Sequence, residues 1–186
     1  SIIKQLYKPD DTIMDIMAGT GTLMVGALID RNIICVEISE KFHQIQVKAL
    51  EYLENIAPGI SEMISLINMP CQLYLPIPDL ANHIIFSPQY ASIMKTKGTD
   101  SWNKDTGYDF QEYSKSPLNL GTMSEFIWAI EMERVYTKCY QSLTTPGSMT
   151  LIIKDHIEKG QRVLLTARAI NACIRAGFVY SPDERF

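Results

Sequence analysis

Asp15-Ile16-Met17-Ala18-Gly19-Thr20-Gly21-Thr22 joins an apolar run to a glycine-rich turn and then to a stretch of helical character. Upstream, Lys8-Pro9-Asp10-Asp11 is a turn-rich approach, so Thr12 to Met17 reads as a short strand. Downstream, Gly21 to Ile29 reads as a helix with small residues where it must approach a sheet. Gly19 and Gly21 let the backbone come close to a ligand where a side chain would collide. Asn32 to Ile38 forms a second strand, with Ile33-Ile34-Cys35-Val36 at its heart and Glu37 near its end. A strand, a glycine turn, a helix and a strand in this order belong to an α/β sheet that binds ligands at the carboxyl ends of its strands.

The alternation continues outward. Ser39 is placed as the N-cap of a helix from Glu40 to about Asn55, whose Phe42, Ile45, Val47, Leu50 and Leu53 approximate one face. Pro58-Gly59 breaks it. Met63 to Ile67 reads as a third strand and His83-Ile84-Ile85-Phe86 as a fourth, with its core from Ile84 to Phe86. From Ala91 to Leu120 the pattern dissolves into a polar loop with interspersed aromatics, a length that is unusual unless functional. A helix is expected over Met123 to Leu143, then a turn at Pro146-Gly147 and a strand from Ser148 to Ile153. A last helix runs from about Arg162 to Ala176 with Gly177 as its C′ residue, and Phe178-Val179-Tyr180 would start another strand. The expected fold class is a doubly wound, mainly parallel, Rossmann-like α/β sheet with helices on both faces, forming one domain over 1–186.

Bulk properties narrow the function. The 186 residues are 46% hydrophobic, enough for a normal core. A net charge of −4 excludes a general nucleic-acid coat, so any nucleic-acid contact must come from a local patch. Cys35, Cys71, Cys139 and Cys173 are widely spaced within apolar elements and read as buried free thiols. No metal-ligand spacing links them to His43, His83 or His156, and no metal is expected. No apolar run reaches membrane-spanning length, so a soluble, cytoplasmic protein is expected.

The strand ends carry the chemistry. A carboxylate at Glu37 can accept both hydroxyl protons of a ribose. A dinucleotide fingerprint wants a third glycine where this chain has Met24. Asp15 at the first strand end instead suits a cationic amino-acid moiety, such as that of S-adenosylmethionine. Ser87-Pro88-Gln89-Tyr90 directly follows the fourth strand. Taken alone it is an ordinary turn sequence. After an apolar strand and downstream of the glycine turn it is a catalytic candidate.

Here a family resemblance becomes specific. Asp15 to Thr22 resembles the D-P-F-x-G-S-G-T signature of DNA amino-methyltransferases, with Ile16 and Met17 replacing its proline and aromatic residue. Ser87 to Tyr90 is similar to their [DNS]-P-P-[YFW] turn, with Gln89 replacing the second proline. The stretch from Gln141 to Ser148 is similar to R-x-L-K-P-G-G before the fifth strand. The resemblance implies S-adenosylmethionine as cofactor, held by Asp15, Met17, Ala18, Gly19, Thr20, Gly21, Thr22 and Glu37, with Asn68 or Met69 near its adenine. It implies that the Ser87 side chain and the Pro88 carbonyl accept from the exocyclic amine of a DNA base. Tyr90 would stack on that base after flipping. Serine at the first position favours N4 of cytosine over N6 of adenine.

Two other classes stay open: methyl transfer to RNA guanine N2 or to a protein glutamine, and a non-catalytic binding subunit with this fold. DNA contact is expected through the loop at 91–120, where Lys95, Lys97, Lys104, Trp102 and Tyr108 could hold phosphates and stack on bases. Lys154-Asp155 reads as a solvated pair. With little room for a target-recognition region, the chain reads either as a minimal enzyme working as a homodimer or as a fragment served by a separate recognition region.

Overall fold

The computed structural model describes residues 7–91, 114–158 and 161–181. Five strands form one sheet in the order β3-β2-β1-β4-β5. They are β1 (Thr12–Asp15), β2 (Asn32–Glu37), β3 (Ile64–Asn68), β4 (Ala81–Phe86) and β5 (Leu143–Leu151). Every pairing is parallel. Side chains alternate across the strands and fill two separate cores. Ile13, Ile33, Cys35 and Ile85 face a 3₁₀ helix (Thr22–Ile29) and α1 (Glu40–Ile56). Met14, Ile34, Val36, Ile84 and Phe86 face α3 (Glu125–Ser142) and α4 (Leu165–Ala176). A short α2 (Cys71–Tyr74) packs on this second face. The doubly wound arrangement expected from the alternation is present.

The order of strands puts β1 at the centre, where connections leave in opposite directions to β2 and β4. That reversal opens a crevice at the carboxyl ends of β1 and β4. The glycine turn follows β1 and the Ser-Pro-Gln-Tyr turn follows β4, so the fold brings the two sequence motifs to one edge.

Several boundaries differ from the sequence reading. β1 stops at Asp15, because the Asp15 carboxylate captures the Met17 N–H at 2.9 Å and Ala18 N–H turns to Val36 O at 3.0 Å. The segment after Gly21 is 3₁₀ rather than α; Met24 N–H returns to Gly21 O, three residues back. β5 begins directly after α3, and Pro146-Gly147 lie within it at a register irregularity against Ala81 and His83. α4 starts at Leu165, preceded by a small antiparallel pair, β6 (His156–Glu158) and β7 (Gln161–Val163), that the sequence reading did not foresee. Phe178-Val179-Tyr180 forms no strand; Phe178 instead meets Tyr140 edge-on, with ring centroids 5.2 Å apart. Ser39 does cap α1, its hydroxyl accepting from Phe42 N–H at 3.5 Å. All four cysteines are buried and unpaired. Among the described residues no helix is long and apolar enough to cross a membrane.

Candidate functional site

The glycine turn is built by backbone groups tied to two buried side chains. Gly19 (φ +52°) and Gly21 (φ +80°) both lie in the left-handed region that favours glycine. Gly19 donates its N–H to Glu37 Oε2 at 2.7 Å, and its carbonyl accepts from Gln46 Nε2 at 2.7 Å. The second Glu37 oxygen accepts Ser39 N–H, also at 2.7 Å. Glu37 is 1% exposed and Gln46 is fully buried. The acid at the end of β2 therefore shapes the loop as well as facing the crevice. A Cβ placed on Gly19 would meet nothing within 4 Å, so the turn borders open space.

The second turn is anchored at each residue. Ser87 Oγ donates to Ile152 O at 3.0 Å. Its proton is thereby engaged and its lone pairs are left for a ligand. Pro88 is buried. The Gln89 carbonyl accepts from the Trp128 indole N–H at 2.6 Å, which ties the turn to α3. Tyr90 Oη accepts Lys154 N–H at 3.1 Å, fixing the ring's outer end to the chain after β5.

One cleft of about 280 Å³ joins the two motifs, lined by Met17 and Glu37 on one side and by Ser87, Pro88, Gln89 and Tyr90 on the other. All four residues of the catalytic candidate line it. Of the cofactor candidates, Met17 and Glu37 line it; Asp15, Ala18, Gly19, Thr20, Gly21, Thr22 and Asn68 do not. Thr20 and Thr22 are exposed on the turn, and Ala18 and Gly21 are buried beneath it. Asn68 donates to the Glu37 carbonyl at 2.9 Å and holds β3 to β2.

The sequence reading missed Ile38, Pro70, Cys71, Gln72, Leu118 and Leu120 in the walls. Pro70, which caps α2 just after β3, was a strand-end signal of the same kind as Glu37. Leu118 and Leu120 were the apolar pair at the end of an otherwise polar loop. Residues 92–113, on which the proposed nucleic-acid contact falls, lie outside the described residues. The Lys154-Asp155 pair does more than sit in solvent: Asp155 accepts Thr166 N–H at 3.0 Å at the start of α4 and pairs with Arg162 at 3.2 Å. On α3, Trp128 is buried against the core and Phe126 is exposed.

Burial pushes the Asp15 carboxyl up from 3.8 to about 7; the Met17 N–H pulls the other way, and the Glu37 charge adds to the rise. The folded chain thus keeps this proton across a pH range where the unfolded chain has lost it. Stability from this group falls as pH rises from about 4 to about 7 and stays low above, by at most about 4 kcal/mol. Asp15→Asn keeps the acceptor for Met17 N–H and removes the titration. Thermal melts should show a flatter pH dependence for this variant across that window, and a higher Tm than the parent at alkaline pH. An unchanged pH profile would contradict the assignment.

No protein-family model matches the sequence, and no curated protein matches it. Solved structures do. A candidate rRNA methylase from Clostridium thermocellum is 16% identical over 96% of this chain and 79% of its own, with a TM-score of 0.58. A TehB-like SAM-dependent methyltransferase from Corynebacterium glutamicum is 7% identical over 95% and 70%, with a TM-score of 0.56. The cyclase SpnF is 13% identical over 95% and 55%, with a TM-score of 0.58. The chain spans only about a third of two further matches, 32% and 35% of their lengths, at TM-scores of 0.39. The chain shares the Rossmann-like α/β fold of these structures. A cyclase built on it shows that the fold alone does not fix the reaction.

Proposed function

We propose that this chain transfers a methyl group from S-adenosylmethionine to an exocyclic amine of a DNA base, N4 of cytosine ahead of N6 of adenine. The observation that carries this reading is the cleft in which Met17, at the start of the glycine turn, and Glu37 face the Ser87-Pro88-Gln89-Tyr90 turn. The donor set fits the cofactor. The open space at Gly19 admits a ligand against the backbone, Glu37 suits a ribose, and Met17 and Ile38 offer apolar walls. When bound, S-adenosylmethionine supplies an electrophilic methyl group on sulfur.

The chain's own work is to make a poor nucleophile attack. The lone pair of an aryl amine is delocalised into its ring. Acceptors on the two N–H groups favour the pyramidal nitrogen that carries a usable lone pair. Ser87 fits one acceptor role, since its proton is held by Ile152 O, and the Pro88 carbonyl fits the other. Tyr90, anchored at its hydroxyl, offers a ring face for stacking the base. Holding amine and methyl in line supplies the remainder of the rate.

A second reading, an RNA base as target, is favoured by the likeness to the candidate rRNA methylase. Nucleoside mass spectrometry on unmethylated DNA and RNA incubated with protein and S-adenosylmethionine separates the two. The expected product is N4-methylcytosine in DNA, reduced about a hundredfold or more in rate by the Ser87→Ala, Tyr90→Ala double variant. A methylated base in RNA alone would move the assignment to the second reading. No product in either, with cofactor bound, would refute both.

A further inference from the structure

We infer that Gln89 is the specificity-determining residue of this cleft, its side-chain N–H donating to the ring nitrogen that neighbours the substrate's exocyclic amine. The inference rests on the methyl-transfer reading for its substrate class and adds the group that recognises it.

The argument is one of donors and acceptors. The two groups placed on the amine, Ser87 Oγ and the Pro88 carbonyl, present lone pairs. The Ser87 proton is on Ile152 O and Pro88 has no N–H; the Tyr90 hydroxyl keeps a proton of its own, but its oxygen is held at Lys154 N–H, at the ring's outer end. Such a surface suits the N–H groups of an amine. It repels the ring nitrogen beside that amine, which is itself a lone pair, in cytosine and adenine alike. A donor is needed there.

Among the described residues two side-chain amides line the cleft. Gln72 is engaged, its Nε2 on Leu118 O at 2.8 Å and its Oε1 accepting from Cys71 Sγ at 3.5 Å. The amide of Gln89 has no hydrogen-bond partner among the described residues, although its carbonyl is fixed by Trp128. The backbone is held, and among the described residues the amide is free.

The amide also has a built seat. A Cβ on Gly121 would lie 2.5 Å from Gln89 Nε2 and 2.7 Å from Cδ, so the absence of a side chain at 121 makes room for it. Gly121 is itself positioned by Asn119, whose Oδ1 accepts its N–H at 3.1 Å and whose side chain is buried.

The test compares ligands that differ only in the ring nitrogen. NMR titrations of the full chain would use deoxycytidine against 3-deaza-deoxycytidine, and deoxyadenosine against 1-deaza-deoxyadenosine. The parent protein is expected to prefer the nitrogen-bearing member of at least one pair by about tenfold or more. Gln89→Leu should bind both members equally. Gly121→Ala should do the same with Gln89 still present, because the added methyl displaces only the flexible amide end. Cofactor titration of each variant reports on the fold and on the parent reading. Undiminished preference in Gln89→Leu, no preference in the parent, or no nucleoside binding at all would each overturn the inference. Preference without cofactor binding would uphold it and refute methyl transfer, whereas cofactor binding without preference would do the reverse.

Discussion

Glu37→Ala is expected to lower stability by about 2–6 kcal/mol, since each of two buried N–H groups left without an acceptor costs about 1–3 kcal/mol. The carboxylate takes Gly19 N–H and Ser39 N–H at 2.7 Å each, in a position that is 1% exposed. The loss has two local consequences. Ser39 sits at the start of α1, so the helix entry loosens. Gly19 is the apex of the turn, so the crevice loses its shape. S-adenosylmethionine titration should therefore fall below detection in the variant even at temperatures where it is folded. Glu37→Gln is the informative comparison. It keeps one acceptor and turns an NH₂ toward a backbone donor, so it should be intermediate in stability. Both variants remove the negative charge that helps to raise Asp15, whose carboxyl should then titrate lower. Denaturant melts and a pH series on the three proteins check all of this. A Glu37→Ala protein as stable as its parent would show that neither bond matters.

The sheet and the turn at each strand end were legible because apolar runs and glycines report directly on local backbone needs. Ile33-Ile34-Cys35-Val36 could be little other than a buried strand, and its alternate residues do face the two cores. The pairing of Ser87-Pro88-Gln89-Tyr90 with Met17 and Glu37 was legible through chain order, since both follow strands that a doubly wound sheet places side by side. What could not be read was side-chain choice. Its strand-end position suits Glu37 to a ribose, yet its oxygens also hold Gly19 and Ser39, because a buried carboxylate takes whatever donors the fold delivers. Asn68 follows the third strand, where a ligand residue is expected, and its side-chain N–H also holds β2. The start of β5 at Leu143 was hidden because Pro146-Gly147 is a turn signal that a strand irregularity absorbs equally well. Cleft walls from Pro70 to Gln72 and at Leu118 and Leu120 arise from packing between distant segments, which no local pattern encodes.

Gly21→Ala should be the most damaging single-methyl change in the turn, and Gly19→Ala the control that explains why. Both glycines have positive φ, so alanine at either costs about 1–2 kcal/mol in backbone strain. Beyond that they differ. A Cβ on Gly21 would lie 2.7 Å from Met24 Cε and 2.9 Å from Gln46 Cγ. The methionine end can move. Gln46 is fully buried in mid-helix, and displacing its Cγ breaks its bond to the Gly19 carbonyl. The turn would then lose its lower support, for a total cost of about 3–6 kcal/mol once a hydrogen bond of about 1 kcal/mol and overpacking of about 1–3 kcal/mol are added to the strain. A Cβ on Gly19 meets no atom of the protein within 4 Å, so only the strain remains. That methyl would stand in the open space beside the turn. Gly19→Ala should therefore melt within a few degrees of the parent while losing cofactor affinity by about tenfold or more, as expected where a ligand must approach backbone. Gly21→Ala should lose both together. Thermal melts paired with calorimetric titration of S-adenosylmethionine separate the cases. If Gly19→Ala binds the cofactor as the parent does, the open space at Gly19 is not where the ligand lies, and the cofactor must enter from the Pro70 side of the cleft instead.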